Sequence, residues 1–334
     1  MKNGLQLVQV NILHRHGERS SIYTLKDNIV SFNSCQKQNK IFHELPTKAF
    51  LPAHRFQIIN SDMKSGHCAP GQLTDKGKRN LFGLGRQIIS EYKTLIGDKY
   101  DNKSITFKTT NYPRTIESVQ SLIKGMFPHP INSFKISVIQ DSEADSAFVK
   151  ERTEWRTKMV NKNASLLDQI NKYFKEKYNC NVRSIYQAFD IIRAAGGDDQ
   201  NIFSDFPKNL LGKMEKYSLE LFFGNLRKKR NLDVYMRDTF NIITGWLKDK
   251  TSKVNVLSCH DTTIYPLLMV LDIEDGKWPR FGANIIIEKY LAPDKREYVR
   301  LKYDGVVKPI LKAGKYFDMD REYCELNSFL NIIK

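Results

Sequence analysis

The segment Leu5 to Leu13, LQLVQVNIL, is mostly apolar and suits a strand buried inside a sheet. It runs straight into a charged turn, Arg15 to Ile22, with the sequence RHGERSSI. A buried strand that ends abruptly in charge fits an open α/β sheet, whose ligands bind beyond the carboxyl ends of the strands.

The following segments support that frame. From Thr74 to Ile96 the apolar positions Leu81, Leu84, Ile88, Tyr92 and Leu95 recur at helical spacing, with Gly97 as a C-terminal cap. Ile105, Phe107 and Thr109 alternate like a strand, and Arg114 to Met126 reads as a helix closed by Gly125 and Pro128. Lys253 to Ser258 predicts a short strand, followed by a helix over Thr262 to Leu271. Ala283 to Tyr290 and Glu297 to Tyr303 predict late strands, the second ending at an Asp304-Gly305 turn.

Between Glu143 and Lys248 the pattern turns helical. Leu166, Leu167, Ile170, Tyr173 and Phe174 form one stripe, and Phe240, Ile243, Trp246 and Leu247 form another. The expected fold is an α/β open sheet flanked by helices, discontinuous over residues 1–142 and 249–334, with an inserted, mainly helical cap over 143–248.

The chain has 334 residues, 41% hydrophobic and 27% charged, which suits an ordinary globular protein. Its net charge of +16 favours anionic partners: small phosphorylated molecules, acidic membrane surfaces or nucleic acid. No run of 18 apolar residues occurs, so no transmembrane segment is expected. No secretory h-region precedes the first strand. As the sequence stands it reads as cytoplasmic, and removal of a leader would make it mitochondrial, secreted or lysosomal. Cys35, Cys68, Cys180, Cys259 and Cys324 are scattered, which leaves room for a single disulfide but not for a disulfide framework or a zinc site. His43, His54 and His67 show no metal-ligand spacing.

Arg15-His16-Gly17-Glu18-Arg19 is the sharpest local signal. A neutral imidazole is a competent nucleophile near neutral or acidic pH. A phosphoryl group in transfer spreads negative charge over its equatorial oxygens, and fixed guanidinium forks match that geometry. Gly17 would allow a sharp turn or a close approach of backbone to phosphate. Two further signals stand just beyond predicted strands: Arg114 in TTNYPRTIES, and His260-Asp261 in CHDTT. Their shared placement at strand ends makes them one candidate site.

These motifs resemble those of the histidine acid phosphatases, the acid branch of the histidine phosphatase superfamily. RHGERSSI is similar to that family's first signature, HDTT to its second, GQLTDKGKRNLFGLGR to its GQLT segment, and TTNYPRTIESVQSLIKGMF to its third arginine motif. Within the family the closest look is to the lysophosphatidic acid phosphatases, through LQLVQV, DSEADS (Asp141 to Ser146) and HDTTIYPLLMVLDIEDGKWPRF, in which Lys277-Trp278-Pro279 discriminates most.

The resemblance implies that His16 attacks phosphorus and becomes a phosphohistidine. Arg15, Arg19, Arg114 and His260 would hold the phosphate, and Asp261 would protonate the leaving oxygen. An acidic optimum follows if Asp261 must be protonated when substrate binds. No metal and no cofactor is expected, because arginines supply the positive charge. The partner implied is a small phosphorylated substrate, with a lysophospholipid as one candidate and inositol or sugar phosphates as others; no nucleic acid is expected. The sequence leaves oligomeric state open.

Some residues depart from the family pattern. Ser21 stands where the signature has proline, Cys259 where a small apolar residue is usual, and Arg280 where a second proline follows Trp278-Pro279. Cys324 matches a family half-cystine whose near-sequence partner is absent. Other classes compete. One is a mutase-like or bisphosphatase-like relative with the same Arg-His-Gly nucleophile, against which the His260-Asp261 pair and the cap argue. The other is a basic nucleic-acid- or membrane-binding protein without catalysis, suggested by the net charge and by Arg227-Lys228-Lys229-Arg230.

Overall fold

The computed structural model describes residues 4–25, 30–32, 34–35, 68–127, 134–139, 145–317 and 321–333. Strand β1 (Gln6–Arg15) lies in the middle of a mixed sheet. On one side it pairs in parallel with β4 (Val254–Cys259), then β2 (Ile105–Thr110) and β3 (Ile136–Ile139) follow, also parallel. On the other side β5 (Asn284–Leu291), β6 (Glu297–Tyr303) and β7 (Val306–Lys308) continue antiparallel, and β8 (Tyr323–Glu325) pairs with β6. The turn after β6 has positive φ at both Asp304 and Gly305, the geometry a two-residue hairpin prefers.

Side chains alternate across β1. Val10 and Ile12 face one layer with Val254 and Val256, while Leu13 faces the other with Leu257. Gln9 and Asn11 of this strand are buried as well, because both are hydrogen-bonded. Gln9 Nε2 donates to the carbonyls of Trp246, Asp249 and Ser252, and Asn255 Nδ2 donates to Asn11 Oδ1 at 2.8 Å.

Helices α1 (Asp75–Glu91) and α3 (Pro113–Met126) cover the Val10 face. A single turn, α2 (Lys93–Ile96), separates α1 from Gly97, whose φ is +77°. Gly125 does not close α3, as its position near the end suggests. It lies inside the helix, where a Cβ would collide with the carbonyl oxygen of Phe82 on α1; Gly85 makes the reciprocal approach to Leu122. The two glycines are there because the helix backbones touch. Pro128 lies outside the described residues.

Between β3 and β4 the chain forms α4 (Ser146–Lys162), α5 (Ala164–Tyr178), α6 (Ile185–Gly197), α7 (Lys208–Phe223) and α8 (Lys229–Lys248). Leu166, Ile170 and Phe174 of α5 enter a helical core that also takes Leu25, Tyr265 and Trp278 from outside this segment. The second stripe behaves differently. Phe240, Ile243, Trp246 and Leu247 pack with Leu13, Leu257 and Ile285 under the sheet, not among the other inserted helices. At 20 residues, α8 is about 30 Å long and carries the chain back to the sheet. Helices α9 (Asp261–Leu271) and α10 (Leu326–Ile332) complete that layer.

Cys35 and Cys68 are joined in a disulfide, whereas Cys180, Cys259 and Cys324 are free and buried. Among the described residues no helix is long and apolar enough to cross a membrane. Asp141 to Ala144 of the DSEADS stretch, and His43, His54 and His67, lie outside the described residues; Asp145 caps α4, accepting from the Phe148 amide at 2.8 Å.

Candidate active site

The six residues singled out from sequence meet where β1, β2 and β4 end. Arg15 is the last residue of β1, and His16 follows with its amide donating to the Cys259 carbonyl at 2.9 Å. The loop is held from several sides. Gly17 N donates to Ser118 Oγ, and Thr74, the N-cap of α1, donates its amide to the Glu18 carbonyl at 2.9 Å. A Cβ on Gly17 would sit 2.6 Å from the Gly77 carbonyl oxygen, so the first turn of α1 demands glycine there. Ser20 N donates to the Gln72 carbonyl and Gly71 N to the Ser21 carbonyl, so the GQLT segment clamps the signature loop. Ser21 is buried and donates its hydroxyl to the Tyr23 carbonyl, which fastens the loop where the family has proline.

Arg114 sits in the first turn of α3 behind Pro113, and His260 and Asp261 open α9. Both helices therefore present their amino ends toward the site, a favourable setting for an anion. Arg114 stacks on the Tyr112 ring at 4.6 Å, and its Nη2 lies 3.4 Å from His260 Nδ1. An arginine only donates, so Nδ1 accepts and the proton of His260 lies on Nε2, directed at Thr110 Oγ1 at 2.9 Å.

His16 is 1% exposed. Burial, reinforced by the charges of Arg15, Arg114 and Arg19, pushes its pKa well below the usual histidine value, so the ring is neutral. Its Nδ1 lies 2.9 Å from the Gly17 carbonyl, which can only accept. The proton is thus on Nδ1, and Nε2 carries the free lone pair. The His260 ring stands edge-on at 5.5 Å, its own pKa lowered to about 3 by burial and by Arg114.

The charges are arranged in pairs with one left over. Arg15 Nη2 meets Asp261 Oδ2 at 2.6 Å, and Arg19 Nη2 meets Asp190 Oδ1 at 2.6 Å. Arg114 has no carboxylate within ion-pair distance among the described residues. Burial lowers the Arg15 and Arg114 pKa values to about 10, and both stay charged at any relevant pH. Burial acts the same way on Arg19 but is outweighed by Asp190, and its pKa rises. The Nε atoms of Arg15, Arg19 and Arg114 are all buried without a partner. Three orphaned guanidinium donors beside a neutral imidazole make a site built for an oxyanion.

The sequence-based expectation is that Asp261 is protonated when substrate binds; the free site sets its starting state. Burial alone would raise its pKa, but the Arg15 charge and a hydrogen bond from Trp278 outweigh burial and lower it. In the free site Asp261 is a carboxylate.

Several residues that touch the site were not assigned to it from sequence. Asp190 reaches in from α6, and its second oxygen accepts from the Ile22 amide at 2.7 Å. Phe281 lies under Arg15, 4.2 Å from its guanidinium carbon to the ring, and 5.8 Å from the His16 ring. Thr110 and Tyr112 flank His260. Thr110 and Tyr112 fall inside TTNYPRTIES and Phe281 ends HDTTIYPLLMVLDIEDGKWPRF, which was their only signal. Asp190 gave none.

Cys259 is a buried thiol donating to the His14 carbonyl, with its pKa raised to about 12 by burial, and is chemically quiet. Arg280 pairs with Asp304 at 2.8 Å on the surface. The run Arg227 to Arg230 is exposed and reaches Glu220, Glu151 and Asp233, as a solvated helix end does.

Neutral buried histidines make stability depend on pH. His14, His16 and His260 all have lowered folded pKa values, about 4 for His14 and about 3 for His260. The unfolded chain binds their protons below its ordinary value of about 6.5. Stability is therefore full above that value and is lost as pH falls toward the folded pKa values, by about 1.4 kcal/mol per histidine per pH unit. Melting temperature without phosphate should fall steeply from pH 6.5 to 4.5, and His14→Phe should flatten the slope by about a third. A melting temperature constant over that range would refute this account.

The chain matches the model of the histidine phosphatase superfamily (branch 2) over residues 6–211 and 211–304. It is 24% identical to the lysophosphatidic acid phosphatase type 6 of Mus musculus, covering 99% of this chain and 85% of the mouse protein. It is 22% identical to a thiamine-repressible acid phosphatase of Schizosaccharomyces pombe, covering 97% of this chain and 80% of the yeast protein. Among solved structures, the apo phytase of Hafnia alvei superposes with a TM-score of 0.65 at 13% identity, over 100% of this chain and 97% of the phytase. A Bifidobacterium longum multiple inositol polyphosphate phosphatase gives 0.66 at 11% identity, over 100% and 93%. At such identities these two likenesses concern the fold.

Proposed function

The chain belongs to the histidine phosphatase superfamily (branch 2) and is a phosphate monoester hydrolase of the histidine acid phosphatase type; we propose that it works through a phosphohistidine on His16 and that lysophosphatidic acid is its substrate. The observation that carries the mechanism is His16 itself: buried, neutral, tied at Nδ1 and surrounded by three arginines.

In the proposed reaction His16 Nε2 attacks phosphorus while the ester oxygen leaves and takes a proton from Asp261. Arg15, Arg19, Arg114 and His260 hold the equatorial oxygens. Water then attacks phosphorus, giving a proton to the Asp261 carboxylate as the P–N bond breaks and its electron pair returns to His16 Nε2, and phosphate departs. The ionised Asp261 of the free site fits an acidic optimum in a specific way. A phosphate monoester becomes a monoanion below about pH 6, and so carries in the proton that Asp261 needs. As its oxygens engage Arg15, the ion pair holding Asp261 ionised weakens and the carboxyl accepts that proton.

Three things support the lipid. The relatives named for lysophosphatidic acid align along most of this chain. The net charge of +16 suits an anionic lipid surface. A cavity of about 510 Å³, bordered on one side by Phe281, Ile192, Phe203 and Leu211 and elsewhere by polar residues such as Glu18 and Gln200, offers an apolar wall for a chain beyond the phosphate site. Inositol polyphosphates would want uncompensated cations there; instead Arg193 faces Glu215 and Arg280 faces Asp304. In this reading residues 143–248 form the cap over a core of 1–142 and 249–334, with α8 as its return to the sheet.

Phosphate release from lysophosphatidic acid and from glycerol 3-phosphate, at pH 5 and pH 7, tests both proposals. Burial of even a few methylenes predicts a kcat/KM higher for the lipid by about 100-fold or more, with faster turnover at pH 5. Equal activity on the two esters would remove the lipid assignment. A profile rising into alkali would remove the Asp261 proton scheme.

A further inference from the structure

Trp278 and Pro279 reach the Arg15–Asp261 ion pair from its two ends. Trp278 Nε1 donates to Asp261 Oδ2 at 2.9 Å, the same oxygen that meets Arg15 Nη2 at 2.6 Å. The Pro279 carbonyl accepts from Arg15 Nη1 at 2.6 Å. One dipeptide therefore grips both partners, and an indole N–H can only donate, so its hydrogen bond has a single direction.

The indole has little freedom. Trp278 is 4% exposed. Its ring is packed against Tyr186, Phe189, Phe222 and Phe223, with centroids 5.5 to 5.9 Å away. Its backbone amide donates to Glu215 Oε1 on α7 at 2.9 Å. The inserted helices thus set the direction in which the indole N–H points.

We propose that Trp278 is the positioning residue for proton transfer by Asp261, its N–H holding Oδ2 in place when the phosphoryl group draws Arg15 away. The inference rests on Asp261 acting as the acid. During turnover Arg15 turns its charge toward phosphate oxygens, and the carboxyl loses its strongest tether. The hydrogen bond from Trp278 is directed from outside the phosphate-binding set, so it persists. It fixes the plane of the carboxyl. It also stabilises the carboxylate that forms as the proton leaves, which makes Asp261 a better donor to a poor leaving group.

The test compares leaving groups in single-turnover formation of the phosphoenzyme, with p-nitrophenyl phosphate and glycerol 3-phosphate. A nitrophenolate leaves with little help from an acid, whereas an alkoxide needs the proton. Trp278→Phe keeps an aromatic ring and deletes the N–H. It should slow the glycerol ester by about 10- to 100-fold and the nitrophenyl ester by less than about threefold. The alkaline limb of its pH profile should move upward, because Asp261 holds its proton more firmly. Phe222→Leu, which loosens the same packing without touching the N–H, should affect both esters alike and leave the limb in place. If the phenylalanine variant does not fold, 3-benzothienylalanine in place of Trp278 fills the indole volume without the N–H and gives the same readout. Equal losses on both esters with an unmoved limb would show a packing role only and overturn the inference. Asp261→Asn separates the two levels: without selective loss on the glycerol ester, the acid role of Asp261 falls and takes this inference with it. Selective loss in Asp261→Asn but not in the Trp278 variants overturns the inference alone.

Discussion

Alanine in place of His16 should lower phosphate release by at least about 10⁴-fold, the scale on which removal of a nucleophile acts. The large effect follows from the surroundings. His16 Nε2 is the one lone pair that the loop leaves free, because Nδ1 is engaged with the Gly17 carbonyl. His260 is a poor substitute: its Nδ1 faces Arg114 and its Nε2 faces Thr110. The arginines would still bind the ester in the variant, so KM should change far less than kcat. Rapid quenching with a labelled substrate checks the chemistry. The native protein should give an acid-labile, base-stable phosphohistidine, and the variant none. Turnover within tenfold of native would mean that another group attacks phosphorus.

How much of this site could be read from sequence depended on where the signals fell. Arg15, His16 and Arg19 fall within five consecutive residues and follow an apolar run. His260 and Asp261 follow another, and Arg114 a third. Parallel strands bring such ends to one edge, so local patterns were enough to assemble a site from distant positions. The geometry of contact was not legible. The spacing between Asp261 and Trp278 says nothing of an indole N–H aimed at a carboxylate. Nor does the motif show that Arg15 holds Asp261 ionised, which alters when the acid becomes available.

Misreadings in the fold have the same origin. Gly125 looked like punctuation because a glycine near a helix end usually is, and only the facing Phe82 carbonyl shows it to be a helix crossing. The apolar stripe of α8 announced a buried face without saying which body would cover it. Gln9 and Asn11 interrupt an apolar strand, yet they are buried because loop carbonyls and Asn255 satisfy them.

Asp190 is the least legible residue of the site, and its removal should have the second largest effect. It is a lone carboxylate within the mostly apolar helix α6, 5% exposed, with Arg19 on one oxygen and the Ile22 amide on the other. Asp190→Ala leaves the Arg19 guanidinium buried at 3% exposure without a carboxylate, and loss of one partner from such a pair costs about 3–5 kcal/mol. Denaturant unfolding should show that loss. Activity should fall about 100-fold as well, because an arginine without its anchor no longer presents a fixed fork to the phosphate. Asp190→Asn keeps an acceptor for Ile22 but loses the charge, and should fall between. Inorganic phosphate supplies a negative charge at the same guanidinium, so it should raise the melting temperature of the alanine variant more than that of the native protein, in proportion to how much of the damage is the bare cation. Equal phosphate stabilisation in both proteins would mean that Asp190 serves packing and not Arg19. The predicted difference would instead show that the bond tying α6 to the signature loop is also the bond that holds Arg19 ready for phosphate, so that seating these helices and completing the phosphate site are one event.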